Sequence, residues 1–79
     1  MNEMLAANGF EDAVIGVGSR PNMGPILCYD YVKCVEILVR DQEMTQEDAE
    51  EWMEYNVVST WMGEGTPMFV YPYDPEDYE

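Results

Sequence analysis

Four glutamates in the middle of the chain have the spacing of one helical face. Glu47, Glu50, Glu51 and Glu54 lie at positions i, i+3, i+4 and i+7, and we call them the acidic stripe. Exposed helices usually place Lys or Arg four residues after Glu, which stabilises them by about 0.2–0.5 kcal/mol per pair, and like charges cost similar amounts. No basic residue occurs from Asp41 to Glu54, so the stripe is locally unfavourable and could bind a surface of Lys and Arg side chains.

The whole chain is strongly acidic. Its 79 residues include 17 Asp and Glu against 3 Lys and Arg and no His, for a net charge of −14. Solubility of a small domain needs a net charge of only about 2–8, so the excess indicates a functional role as readily as the alternative, a solvated face. Direct binding to nucleic acid or to anionic membranes is excluded, because both require clustered cations.

A cationic partner is therefore expected, namely a basic protein that binds nucleic acid. Carboxylates in such a row predict an acidic mimic that occupies the surface where DNA or RNA phosphates would bind. The residues assigned to this partner surface are Asp41, Glu43, Glu47, Asp48, Glu50, Glu51, Glu54, Asp74, Glu76 and Asp77.

An alternative site is a glycine-containing segment, Gly16, Gly18, Ser19 and Arg20. Its backbone amides and the Arg20 guanidinium could hold an anion, which would make the protein a sponge for a nucleotide signal of an immune system. A dinucleotide fingerprint requires a helix directly after the glycines, and Pro21 prevents one here, so a hairpin loop is the simpler interpretation.

Enzymatic chemistry has little support in the sequence. Cys28 and Cys34 lack a general base because the chain has no His, and two thiols are too few for a zinc site. The spacing of a calcium-binding EF-hand loop is also absent. We expect a non-enzyme without metal or cofactor. Two cysteines, no signal peptide and no apolar run of about 20 residues favour a cytoplasmic protein.

The elements that must position these residues follow from hydrophobic periodicity and capping signals. Apolar runs at residues 13–17 and 26–29 predict two strands joined by a loop over 18–25. Residues 31–40 predict a helix capped by Asp30, and a second helix over 46–62 begins at the N-cap Thr45. Gly63 would end that helix, and residues 68–71 predict a third strand.

The predicted order is β-β-α-α-β, an α+β fold. We expect two layers, a small antiparallel three-stranded sheet packed by two helices. Residues 1–71 would form this single domain, and residues 72–79 an acidic tail rich in Tyr and Pro. Because three strands leave exposed edges, a homodimer is possible.

The chain also carries a family resemblance. The runs YDYVKCVEIL (29–38), MTQEDAEEW (44–52), YNV (55–57) and WMGEGTPMFV (61–70) resemble those of small, functionally uncharacterised proteins of tailed phages. The resemblance covers residues 13–70 and implies a phage origin. In class, the charge resembles that of acidic anti-CRISPR and anti-restriction proteins. This implies an inhibitor of a host defence machine in the host cytoplasm, and a generic phage adaptor is a further alternative.

Overall fold

The structure is a computed structural model and describes residues 4–58, 60, 63 and 65–76. Two strands are followed by two helices and a third strand, so the predicted order and the α+β class are confirmed. The elements are a 3-10 turn (Glu11–Ala13), β1 (Val14–Arg20), β2 (Met23–Asp30), α1 (Tyr31–Asp41), α2 (Gln46–Met53), a π-helical segment (Glu54–Val58) and β3 (Met68–Val70).

The first two strands form an antiparallel hairpin, as expected, but its loop is much shorter than predicted. Only Pro21 and Asn22 connect β1 to β2, and Asn22 has a φ of 65°. Asn adopts this left-handed conformation at low cost, which allows a tight turn. Pro25 lies inside β2 although proline has no backbone N–H to donate to a neighbouring strand. On one side β3 pairs only with residues 28–30, and on the other side the β1 register shifts between Gly18 and Arg20.

The sheet is mixed, which corrects the expectation of a purely antiparallel sheet. The strand order is β1-β2-β3, and β3 pairs parallel to β2, with Tyr29 opposite Phe69. Parallel neighbours need a long crossover connection, usually helical. The two helices between β2 and β3 provide that crossover, because they return the chain to the end of the sheet at which β2 began.

Side-chain caps begin both helices as predicted. The Asp30 carboxylate accepts a hydrogen bond from the backbone N–H of Lys33 at 3.2 Å, so α1 begins at Tyr31. The Thr45 hydroxyl accepts one from the N–H of Asp48 at 3.1 Å and begins α2. Each cap satisfies an N–H group that has no partner within its helix.

The sequence predicted a second helix over residues 46–62, but the α-helix in the structure is shorter. It ends as an α-helix at Met53, and Glu54–Val58 forms a wider π-helical segment. Within this region the Asn56 side chain donates to the Trp52 carbonyl, and the Thr60 hydroxyl donates to the Asn56 carbonyl. Such side-chain bonds compete with the regular ladder. Residues 59, 61 and 62 lie outside the described part of the chain.

α1 packs against β2, and both helices contribute to a small core that includes no residue of β1. Tyr29 lies at its centre with 1% of its surface exposed. Its ring stacks on Phe69 with centroids 5.5 Å apart, and its hydroxyl accepts a hydrogen bond from the N–H of Ala7 at 2.9 Å. Both helices contribute inward-facing residues, which are Tyr31, Cys34, Val35, Ile37, Leu38, Ala49 and Met53.

Candidate partner-binding surface

The acidic stripe is brought together as the sequence predicted. Three of its glutamates follow the Thr45 cap along α2, and Glu54 is the first residue of the π-helical segment. The four carboxylate side chains line an open depression of about 670 Å³ together with Tyr31 and Tyr55. The expected row of carboxylates is therefore present on one exposed side of the helix.

Three of the four stripe glutamates are not neutralised by a cation in the described part of the chain. Glu47, Glu50 and Glu51 have no ion-pair partner there, and the described salt bridge joins Arg40 to Asp41 at 2.8 Å. Glu54 accepts a hydrogen bond from the Tyr71 hydroxyl at 3.2 Å. The stripe thus presents negative charge to solvent.

Tyrosine rings flank the stripe, although they are not among the predicted site residues. Tyr31 and Tyr71 stack with ring centroids 4.3 Å apart, and Tyr55 is 78% exposed. Burial raises the pKa of Tyr31, and the negative charges of Glu54 and Glu50 raise it further. Helical spacing was a sequence signal for Tyr55, which lies four residues after Glu51 on the same helical side.

Carboxylates beside aromatic rings are suited to binding cationic side-chain groups. Guanidinium and ammonium groups make charge-assisted hydrogen bonds to carboxylates, and they also bind over the faces of aromatic rings. Arg and Lys side chains of a partner could use both contacts at this surface. We call the acidic stripe together with Tyr31, Tyr55 and Tyr71 the acidic-aromatic surface.

Other residues assigned to the partner surface are not gathered around the depression. Asp41 is paired with Arg40, and this hydrogen bond lowers the pKa of the Asp41 carboxyl. Asp41 also borders a different depression, between α1 and residues 8–10. Glu43 and Asp48 are exposed and flank the start of α2 without lining the depression.

In the tail, Asp74 and Glu76 are exposed. The Asp74 carboxylate accepts a hydrogen bond from the N–H of Glu76 at 3.0 Å. Asp77 lies outside the described residues. The tail begins beside the stripe, because Tyr71 bonds to Glu54 just before it.

The alternative anion site has a different geometry from the one expected. Gly16, Gly18, Ser19 and Arg20 belong to the extended strand β1 and not to a loop. Successive amides converge on an anion in turn-like backbone, whereas they alternate sides in a strand. Three of these residues, Gly18, Ser19 and Arg20, border a pocket of about 130 Å³ with Ile26 and Met68, but Gly16 does not.

Close packing explains the glycine at position 18. A Cβ atom added there would lie 2.8 Å from the Cys28 Sγ atom on β2. We predict that Gly18→Ala lowers the free energy of unfolding by about 1–3 kcal/mol through overpacking. In a Cys28→Ala background the same substitution should cost at least about 1 kcal/mol less, which urea denaturation can measure.

Gly24→Ala is the matched control, because a Cβ there meets no atom within 4 Å. Its effect should stay within about 0.5 kcal/mol. An equal cost of Gly18→Ala in both backgrounds would contradict the packing explanation.

The described residues also bear on three other features: a reactive cysteine, a metal site and a membrane-spanning helix. Burial, followed by the charge of Asp30, raises the pKa of Cys34 to about 11, so this thiol is protonated at neutral pH. No group of three His, Cys, Asp or Glu in the described ranges could hold a metal ion. None of the described helices is long and apolar enough to cross a membrane.

Comparison of the chain with protein-family models, with curated proteins and with solved structures found no match.

Proposed function

We propose that the protein is a phage-encoded, non-enzymatic inhibitor of a host defence machine, such as a CRISPR effector. It acts in the host cytoplasm as an acidic mimic of nucleic acid and occupies a basic DNA- or RNA-binding surface. The observation that carries this proposal is the acidic stripe, in which Glu47, Glu50 and Glu51 are without a described cation.

The dimensions of the stripe support mimicry. From Glu47 to Glu54 the helix axis advances about 10 Å at about 1.5 Å per residue. Along the axis of a DNA duplex, one strand advances about 3.4 Å per phosphate, so this length corresponds to about three phosphates. A groove of Lys and Arg side chains that binds phosphates could therefore contact several of these carboxylates at once.

The energetics support a charged partner as well. Docking a cationic groove on the stripe would remove the like-charge repulsion that the helix retains when free. It would also release the counterions that screen both surfaces, as phosphate binding does. The tyrosines at the rim add contact area with little loss of side-chain entropy, which favours affinity.

Capture from host lysate tests the proposal. The full chain is immobilised and bound proteins are identified by mass spectrometry at low and at high salt. We expect a basic nucleic-acid-binding protein that is released as the salt concentration rises, because screening weakens exposed charge pairs. The captured protein should then lose its DNA or RNA in a competition assay with the free chain.

Charge reversal of two stripe glutamates tests the role of the stripe, and reversal of two glutamates elsewhere is the matched control. Glu50→Lys with Glu51→Lys should abolish both capture and competition, whereas Glu11→Lys with Glu36→Lys should retain them. Both pairs change the net charge equally, and the control residues are exposed outside the acidic-aromatic surface. Inhibition that survives reversal of Glu50 and Glu51, or a partner that keeps its nucleic acid while bound, would refute the proposal.

A further inference from the structure

The outer edge of β1 has no described strand beside it. β1 (Val14–Arg20) pairs with β2 on one side and is the first strand in the sheet order. All its residues except Gly18 are exposed, and Ile15 and Val17 are 58% and 60% exposed. An edge of this length, with apolar side chains and free backbone N–H and C=O groups, is a template for another strand.

The charge distribution indicates which strand can approach this edge. Residues 13–29 contain no acid, although the chain has 17, and Arg20 is the only charged residue among them. Two copies of a chain with a net charge of −14 repel each other across most of their surfaces. The hairpin is the segment where a second copy meets the least repulsion.

The ends of β1 also favour one orientation. Arg20 lies at its C-terminal end, and the exposed acids Glu11 and Asp12 lie just before its N-terminal end. Antiparallel pairing of two β1 strands would bring the cation of each copy to the acids of the other. Parallel pairing would oppose like charges at both ends.

We propose that two copies of this chain pair antiparallel along β1 and join their sheets into one continuous sheet. Such a contact is isologous, with each copy using the same surface, and Val17 lies at the middle of the strand, beside the two-fold axis. The β1–β2 register is regular from Gly16 to Gly18, around this centre, and shifts only on either side of it. The opposite edge of the sheet, β3, pairs over only Met68–Val70 and offers a shorter template.

Mass measurement in solution tests this dimer independently of the proposed inhibition. Sedimentation of the full chain over a range of concentrations should reveal twice the mass of 9.1 kDa. The dimer should strengthen as salt rises, because salt screens the repulsion between the acidic copies. Hydrogen exchange should slow in residues 14–20 as the protein concentration increases.

Two variants examine the contact. Val17→Lys places two lysines together at the axis and should weaken the dimer at least tenfold, although it lowers the overall repulsion between copies. Arg20→Glu should weaken it as well. Val32→Lys is the matched control, because Val32 is also an exposed valine but lies on α1.

Circular dichroism confirms that each variant folds. The proposal is supported if Val17→Lys and Arg20→Glu weaken the dimer and Val32→Lys does not. It is overturned by a monomer at every concentration, or by a dimer that both β1 variants leave unchanged.

Discussion

Tyr29→Ala is expected to lower the free energy of unfolding by about 3–5 kcal/mol, the range for deleting a large buried aromatic side chain. Tyr29 is 1% exposed and stacks on Phe69, so its removal leaves a cavity between the sheet and the helices. A domain of this size has a stability of about 4–12 kcal/mol, so the variant would approach or cross the unfolding threshold at room temperature. Urea denaturation followed by circular dichroism measures the change.

Two further substitutions separate packing from hydrogen bonding. Tyr29→Phe keeps the ring and removes only the acceptor for the Ala7 N–H, so it should cost about 1–3 kcal/mol. Tyr55→Ala removes a tyrosine that is 78% exposed and should change stability by less than about 0.5 kcal/mol. Equal losses for Tyr29→Ala and Tyr55→Ala would show that the core is not centred on Tyr29.

Glu50→Gln combined with Glu51→Gln is expected to change binding and stability in opposite directions. The pair keeps side-chain size and removes two charges from the acidic stripe. Truncating one member of a desolvated charge pair costs about 2–5 kcal/mol, so affinity for the captured basic partner should fall at least about a hundredfold. Isothermal titration calorimetry at fixed salt measures this loss.

The stability of the same variant should rise by a few tenths to about 1 kcal/mol. Each glutamine removes like-charge contacts with Glu47 and Glu54 at helical spacings of three and four residues. A merely solvated face would show the gain in stability with binding unchanged, which would contradict the proposed function. Glu11→Gln with Glu36→Gln carries the same net charge and should leave the affinity within about twofold, since both residues lie outside the acidic-aromatic surface.

Local signals in the sequence were sufficient for the beginnings of the helices and for the stripe. The caps at Asp30 and Thr45 involve hydrogen bonds to residues three positions later, so neighbouring residues decide them. The same holds for the stripe, because helical periodicity alone places Glu47, Glu50 and Glu51 together once α2 begins at Gln46.

Element ends were predicted less well, because they depend on competition between neighbours. The hairpin strands are longer than predicted and leave only Pro21 and Asn22 as the turn. Pairing between β1 and β2 outweighs the turn preference of the glycines and prolines in residues 18–25. The α-helix ends at Met53, beside the Trp52 carbonyl that accepts a hydrogen bond from the Asn56 side chain.

The sequence by itself determined the element order, the α+β class, the capped helices and an acidic helical face on a chain of net charge −14. Only the tertiary structure decided that β3 runs parallel to β2 and that Tyr31 and Tyr71 stack beside the stripe. The physical reason is distance along the chain. Caps and helical faces depend on residues three or four positions apart, whereas strand direction and aromatic contacts depend on where the packed helices return the chain.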